Sequence, residues 1–257
     1  MSPRAPGPVG RLLSATGVTS RAVERPDVSR LPRATRPPSR QESSRELLGG
    51  LAAGRLVAAT PRLLRAPRGD GHVVVDVPGW RSPELTGAPI RAYLRRLGYD
   101  ARGWGFGTNT GNPERDADRL TEQVLALAAE RGPVSLVGWS LGGVISREVA
   151  RREPDAVRRV ITYGTPVVGG PSFTAVAAAY APEVRRRVAE VSARLDADSP
   201  IRVPLTAIWS RRDGIVAWQA CLDRVSPDVE HVEVGSTHLG LGIDPDVWSI
   251  VASRLPR

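Results

Sequence analysis

Val134-Ser-Leu-Val-Gly-Trp-Ser-Leu-Gly-Gly-Val144 decides how this chain is read. The apolar run Val134, Leu136, Val137 stops at Gly138, as a buried parallel strand does. Beyond Ser140 the apolar positions change to Leu141, Val144, Ile145 and Val149, which is helical spacing. The pattern predicts strand, sharp turn and helix, with Gly138-Trp139-Ser140-Leu141-Gly142, a G-x-S-x-G pentapeptide, at the turn. A serine there sits in a strained backbone conformation, and side chains two residues to either side would collide, so glycine at 138 and 142 has a physical reason. Ser140 also falls at a helix N-terminus, where amides and the helix dipole favour negative charge. The blander alternative is a Gly-rich strand-to-helix turn with a capping serine.

Outward from this stretch, 257 residues with 41% apolar content suffice for one large α/β domain. A single cysteine, Cys221, excludes a disulfide framework and a Cys-based metal site. Histidines stand only at 72, 231 and 238, without metal-ligand spacing, so no metal or cofactor is expected. The formal charge of +9 is localised. Residues 1–68 hold 13 Arg against 4 acids, and residues 69–257 hold 23 of each. The neutral remainder argues against nucleic acid as a partner.

Residues 1–40, rich in Pro, Arg and Ser, are expected to be a disordered tail, and they lack the apolar core of a secretory signal. Residues 41–68 form an amphipathic helical segment, with Ser43 or Ser44 as cap and Glu46 in the first turn. It packs on the domain or, in the sharper reading, touches a membrane surface through residues 41–66. The expected location is cytoplasmic, with that membrane contact as an addition. Residues 69–257 alternate. Strands are predicted at 73–77, near 101–106, and at 134–137, 157–163, 203–209 and 229–234. Helices are predicted at 88–97, 114–131, 217–225 and 245–255. This order implies a three-layer α/β/α sandwich with a mostly parallel central sheet. Residues 167–199 interrupt it as a short helical lid insertion.

A serine hydroxyl needs a base, and the base an orienting acid. Asp213 follows the strand 203–209, and His238 follows the strand 229–234. Three strand ends thus supply Ser140, Asp213 and His238, where catalytic groups collect in open α/β sheets. His72, at the amino end of its strand, and His231, inside one, are read as structural. Asp76 is placed beside the site and needs a partner. Asp223 is read as a solvated helix residue and Asp244 as a cap. Two backbone amides, those of Leu141 and Trp80, are expected to hold a developing oxyanion.

Residues from about 70 to 257 resemble the α/β-hydrolase superfamily, on the strength of Val77-Pro-Gly-Trp80, Gly138-Trp-Ser-Leu-Gly142, Asp213 and His238. The Gly103–Asn109 loop and Ser210-Arg-Arg-Asp-Gly-Ile-Val216 are similar to bacterial lipase- and esterase-like members. The resemblance implies an eight-stranded sheet, of which six strands are legible here. It implies a serine hydrolase that cleaves carboxylic esters through an acyl-enzyme. Trp80, Trp104, Trp139 and Phe173 are expected to line an apolar acyl or lipid pocket; alternatively they are simply core. An acyltransferase or thioesterase would use the same triad. A protein of another class would carry its role in the basic N-terminal segment.

Overall fold

The computed structural model describes residues 27–256. Six strands form where short runs of branched apolar residues are bounded by turn formers: β1 (Val73–Val77), β2 (Asp100–Gly103), β3 (Val134–Trp139), β4 (Val157–Tyr163), β5 (Leu205–Trp209) and β6 (Val229–Glu233). They make one sheet in the order β2-β1-β3-β4-β5-β6, with every pairing parallel. A parallel sheet needs cover on both faces, and the alternation of each strand supplies two apolar surfaces. On one face Val74, Val137, Ile161, Ile208 and Val232 pack with α3 (Ala88–Leu97) and α7 (Pro245–Arg254). On the other, Val75, Leu136, Val160 and Ala207 pack with α4 (Pro113–Arg131) and α5 (Leu141–Arg152). Each fully buried Leu or Ile contributes about 1.5–3 kcal/mol.

The chain direction brings the carboxyl ends of β3, β5 and β6 to one edge of the sheet. In register, Val77 of β1 pairs with Gly138 of β3, and Trp139 pairs with Tyr163 of β4. The β1 and β4 ends therefore flank the turn at Ser140.

Several expectations change. The second strand stops at Gly103, because Trp104 turns into the sheet-helix core and donates its indole N–H to Gly107 O at 2.8 Å. The region 217–225 holds a single 3-10 turn, Trp218–Cys221, not a helix. Residues 170–180 hold 3-10 turns at Gly170–Phe173 and Ala177–Ala179. The rest of the expected lid is α6 (Pro182–Asp198), the helix of the β4–β5 crossover. Its C-terminal end is tied to α5, where Arg151 donates to Leu195 O at 2.8 Å and to Asp196 at 2.6 Å. The interruption of the alternation is thus confined to the loops and turns before Pro182.

The N-terminal segment also differs. Its cap is Ser39, which with Glu42 forms a reciprocal capping box at the start of α1 (Arg40–Ser44). A 3-10 turn, Arg45–Gly50, leads into α2 (Leu51–Leu63), which packs on α7. Leu63 is buried in the shared core, with Leu56 and Ala59 against it. The disorder expected of residues 1–40 falls partly on 1–26, outside the described residues. Residues 27–40 lie on the domain instead. Val28, Leu31 and Ala34 pack against the cluster of Trp209, Val216 and Leu222, and Arg224 donates to Leu31 O at 2.9 Å. Composition shows no core there because the apolar surface belongs to residues distant in sequence.

Candidate active site

Ser140 has φ 52° and ψ −119°, one of two non-glycine residues with positive φ among the described residues. The turn that imposes it is held by the Ser140 amide donating to Tyr163 O at 2.9 Å and by Gly143 donating to Ser140 O at 3.0 Å. A Cβ at Gly142 would collide with the carbonyl oxygens of Val77 and Pro78, so only glycine lets α5 start this close to the end of β1. Leu141 is the first residue of α5, so its amide has no acceptor within the helix.

Asp213 and His238 are brought together from two other strand ends. His238 Nδ1 and Asp213 Oδ2 are 2.7 Å apart, and both side chains are buried. The second carboxylate oxygen of Asp213 accepts from the amides of Ile215 at 2.9 Å and Val216 at 2.7 Å. These bonds fix which oxygen faces the imidazole. The imidazole lies against Trp139, with ring centroids 5.6 Å apart. It also lies against Gly164, the residue after Tyr163, whose carbonyl accepts from the Ser140 amide. With Nδ1 committed to Asp213, Nε2 is the ring atom left for a hydroxyl. Burial pulls the imidazolium down, but the charge and hydrogen bond of Asp213 outweigh it, with a contribution from Glu46. The net shift of His238 is upward from 6.5.

The loop after β1 adjoins the serine: a Cβ on Gly79 would lie 3.3 Å from the Ser140 Cβ. Asn109, fully buried, holds this loop by donating to Pro78 O at 2.8 Å, while its backbone carbonyl accepts from Arg81 at 2.8 Å. A cavity of about 230 Å³ opens beside it, lined by Asp76, Pro78, Thr86, Trp139, Tyr163 and Leu239. Asp76 has the partner it needs in Arg91 Nη1 at 2.8 Å. Burial, only partly offset by Arg91, raises the Asp76 carboxyl to about 6.

Of the four aromatic residues expected at the pocket, only Trp139 lines this cavity. Trp80 stacks beneath Arg81 and abuts Gly111, Trp104 is core, and Phe173 packs on the Trp209 cluster. His72 is structural, bridging Asp70 at 2.5 Å and Ser135 at 3.0 Å. His231 lies buried within β6. Asp223 is not solvated: it pairs with buried Arg147 at 2.7 Å. Asp244 caps α7 as expected, accepting from Asp246 N at 2.8 Å.

Three residues in the site's support escape a reading of the sequence. Asn109 sits in a loop of turn formers, where asparagine is unremarked. Ser210 donates to Ser236 O at 2.5 Å, joining the Asp213 loop to the His238 loop. Glu46 accepts from the amides of Gly214, His238 and Leu239. No local pattern signals bonds that span so much of the chain.

Comparison with known proteins bears on the fold. A family model described as the alpha/beta hydrolase fold matches residues 94–213. A pimeloyl-[acyl-carrier protein] methyl ester esterase of Aliivibrio salmonicida is 33% identical over 120 residues, covering 45% of this chain and 43% of that protein. The corresponding enzyme of Aliivibrio fischeri strain MJ11 is 30% identical over 120 residues, covering 45% and 44%. The chain therefore spans less than half the length of the curated relatives it matches. Among solved structures, a metagenome-derived lipolytic enzyme superposes with a TM-score of 0.55 at 15% identity, over 74% of this chain and 93% of the other. The naproxen esterase of Bacillus subtilis gives 0.52 at 12% identity, over 80% and 97%.

Proposed function

We propose that this chain is a serine hydrolase of the α/β-hydrolase superfamily that cleaves carboxylic esters. The observation that supports the reading best is the convergence of three strand ends: a serine strained at the β3–α5 turn, and an Asp213–His238 pair bonded at 2.7 Å beside it. In this reading His238 Nε2 takes the proton as Ser140 Oγ attacks the acyl carbon. The tetrahedral oxyanion is held by the Leu141 and Trp80 amides. Collapse breaks the bond to the alkoxy group, and His238 returns the proton to the departing alcohol. Water, activated by the same imidazole, then releases the acid and restores Ser140.

The cavity of about 230 Å³ falls below the ~300–1,000 Å³ typical of drug-sized ligands, which favours a short acyl group over a long lipid chain. The relatives named above are methyl ester esterases, so a small alcohol is the first leaving group to test. The experiment is fluorophosphonate labelling of wild type and Ser140→Ala, followed by a p-nitrophenyl ester series of increasing chain length. Labelling is expected on wild type only, with turnover falling as the acyl chain outgrows the cavity. An unlabelled but folded wild type would sink the assignment.

Among the described residues no helix is long and apolar enough to cross a membrane. The outward face of the N-terminal segment nonetheless exposes Leu47 (89%), Leu48 (57%) and Leu51 (68%). With Arg45 and Arg55 nearby in sequence, this is the face through which residues 41–66 would touch an anionic lipid surface. Cosedimentation of the Leu47→Ser, Leu51→Ser double variant with anionic vesicles, equal to that of wild type, would remove that role.

A further inference from the structure

We infer that Glu46 is a positioning residue of the catalytic centre, whose carboxylate ties the loop carrying Asp213 to the loop carrying His238. The inference rests on the hydrolase reading above. Glu46 lies in the 3-10 turn Arg45–Gly50, outside the part of the chain that supplies Ser140, Asp213 and His238. In a segment rich in arginine its carboxylate turns to backbone amides instead. One oxygen accepts from Gly214 N at 2.7 Å and from His238 N at 3.0 Å, and the other accepts from Leu239 N at 2.8 Å. Gly214 follows the acid directly, and His238 is the base itself. A single charged group therefore sets the spacing of the two loops through bonds of the stronger, charge-assisted kind.

The neighbouring residues seat the segment against the same two loops. Ser43 Oγ donates to Gly214 O at 2.7 Å. A Cβ on Gly214 would collide with the Glu42 carbonyl oxygen, so the backbone of 42–43 lies directly on the acid loop. On the base loop, a Cβ on Gly49 would come within 3.2 Å of Thr237 Oγ1 and 3.3 Å of Gly240 N. Ser210 bridges the same loops from within the domain. The two loops are thus pinned to each other twice, once from inside by Ser210 and once from outside by Glu46. His238 Nδ1 has its partner on the other loop, so drift between the loops would lengthen the Asp213–His238 bond and misdirect Nε2. The negative charge beside the His238 backbone also favours the imidazolium that forms in the reaction.

The test compares wild type, Glu46→Gln and Glu46→Ala by kcat and KM for a short p-nitrophenyl ester across pH, alongside the thermal midpoint. Glu46→Ala is expected to lower kcat by about 10- to 100-fold with little change in KM, the size of loss a misplaced catalytic group produces. Glu46→Gln keeps an acceptor oxygen and falls between the two. In both variants the acid limb of kcat/KM moves to lower pH, because a negative charge that favours protonated His238 is gone. Unchanged kcat and an unchanged acid limb would overturn the inference, and so would a lowered thermal midpoint with both intact, which is a structural role only. Should Glu46→Ala fail to fold, the isosteric Glu46→Gln carries the comparison. A wild type that neither turns over esters nor labels with fluorophosphonate defeats the hydrolase reading and this inference with it. An active wild type with indifferent variants defeats this inference alone.

Discussion

Ser140 holds its positive φ because its neighbours leave it no alternative, and that makes the turn sensitive to single atoms. At Gly142 a methyl group would drive into the Val77 and Pro78 carbonyls at the end of β1. Gly142→Ala is expected to cost about 3 kcal/mol, at the upper end for overpacking, and to remove most activity by displacing Ser140. Urea denaturation and fluorophosphonate labelling would measure the two losses. Histidine assignment is the second test at this scale. His238→Ala should lower kcat by about 10⁶-fold, as loss of a triad base does. His231→Ala, inside β6, should keep turnover; the reverse result would overturn the choice of base. The pH profile follows from the raised pKa of His238. Activity needs the neutral imidazole, so kcat/KM should rise with pH through a midpoint above 6.5. For stability the sign is opposite: the folded state favours the imidazolium, so this contribution is present below 6.5 and fades as pH rises through the folded value. Asp213→Asn should lower that midpoint and reduce kcat by about 10⁴-fold. The candidate residues Ser140, Asp213 and His238 are legible because each is a polar residue within a few positions of the end of an apolar strand run, with a glycine within two residues. Asn109 and Ser210 were not, because each acts on a backbone carbonyl far away in sequence.

At the level of elements, the strands and the helices α3, α4, α5 and α7 follow their apolar periodicity closely. Failures fall where polar side chains, not apolar spacing, decide the backbone. Residues 217–225 carry apolar positions at helical intervals, but Asp223 accepts from Val225 N and Ser226 N, both at 2.9 Å, and from Ser226 Oγ at 2.6 Å. This turn chemistry ends the 3-10 turn and aims the carboxylate at Arg147 of α5. Burial works against the Asp223 carboxylate, but Arg147 and the Ser226 bonds prevail and hold its pKa well below the usual range. The pair ties α5, which begins just after Ser140, to the loop entering β6, which ends toward His238. Asp223→Ala leaves Arg147 buried with only Asp196 at 3.5 Å, and is expected to cost about 3–5 kcal/mol. The lowered pKa means that Asp223 contributes its stability above the ordinary Asp value and loses it as pH falls further. The gap in urea midpoint between wild type and variant should therefore be full at pH 7 and shrink in strong acid. A gap that persists unchanged there would count against the ion pair. The expected lid region holds 3-10 turns followed by α6, which buries no residue and whose C-terminal end is anchored by the Arg151 contacts to Leu195 O and Asp196.

For the whole molecule, the question is whether residues 27–66 are an appendage or part of the enzyme. Composition separates them sharply, since the charge excess lies in residues 1–68 and the neutral remainder carries the proposed triad. Packing joins them. Leu63 is buried with α3 and α7, Tyr93 Oη donates to Leu63 O at 3.0 Å, and Arg55 reaches Asp244 at 2.8 Å and Asp246 at 2.7 Å. Arg55 is half-exposed, Asp244 is buried and Asp246 is exposed; the exposed Arg55–Asp246 pair contributes little, about 0–1 kcal/mol. The apolar contact and the Glu46 bonds carry the attachment. Two first strands implied by the family resemblance are not found among the described residues, and α2 covers the α7 side of the domain. Removing residues 1–66 would uncover that apolar face and free the Asp213 and His238 loops at once. The truncated protein is expected to lose stability and turnover together, read by thermal midpoint and kcat on a short ester. A separate targeting tail would behave otherwise: turnover would survive and only vesicle association would fall. That result would detach the segment from the catalytic centre, whereas coupled loss would make it the outer wall of the loops that hold Asp213 and His238.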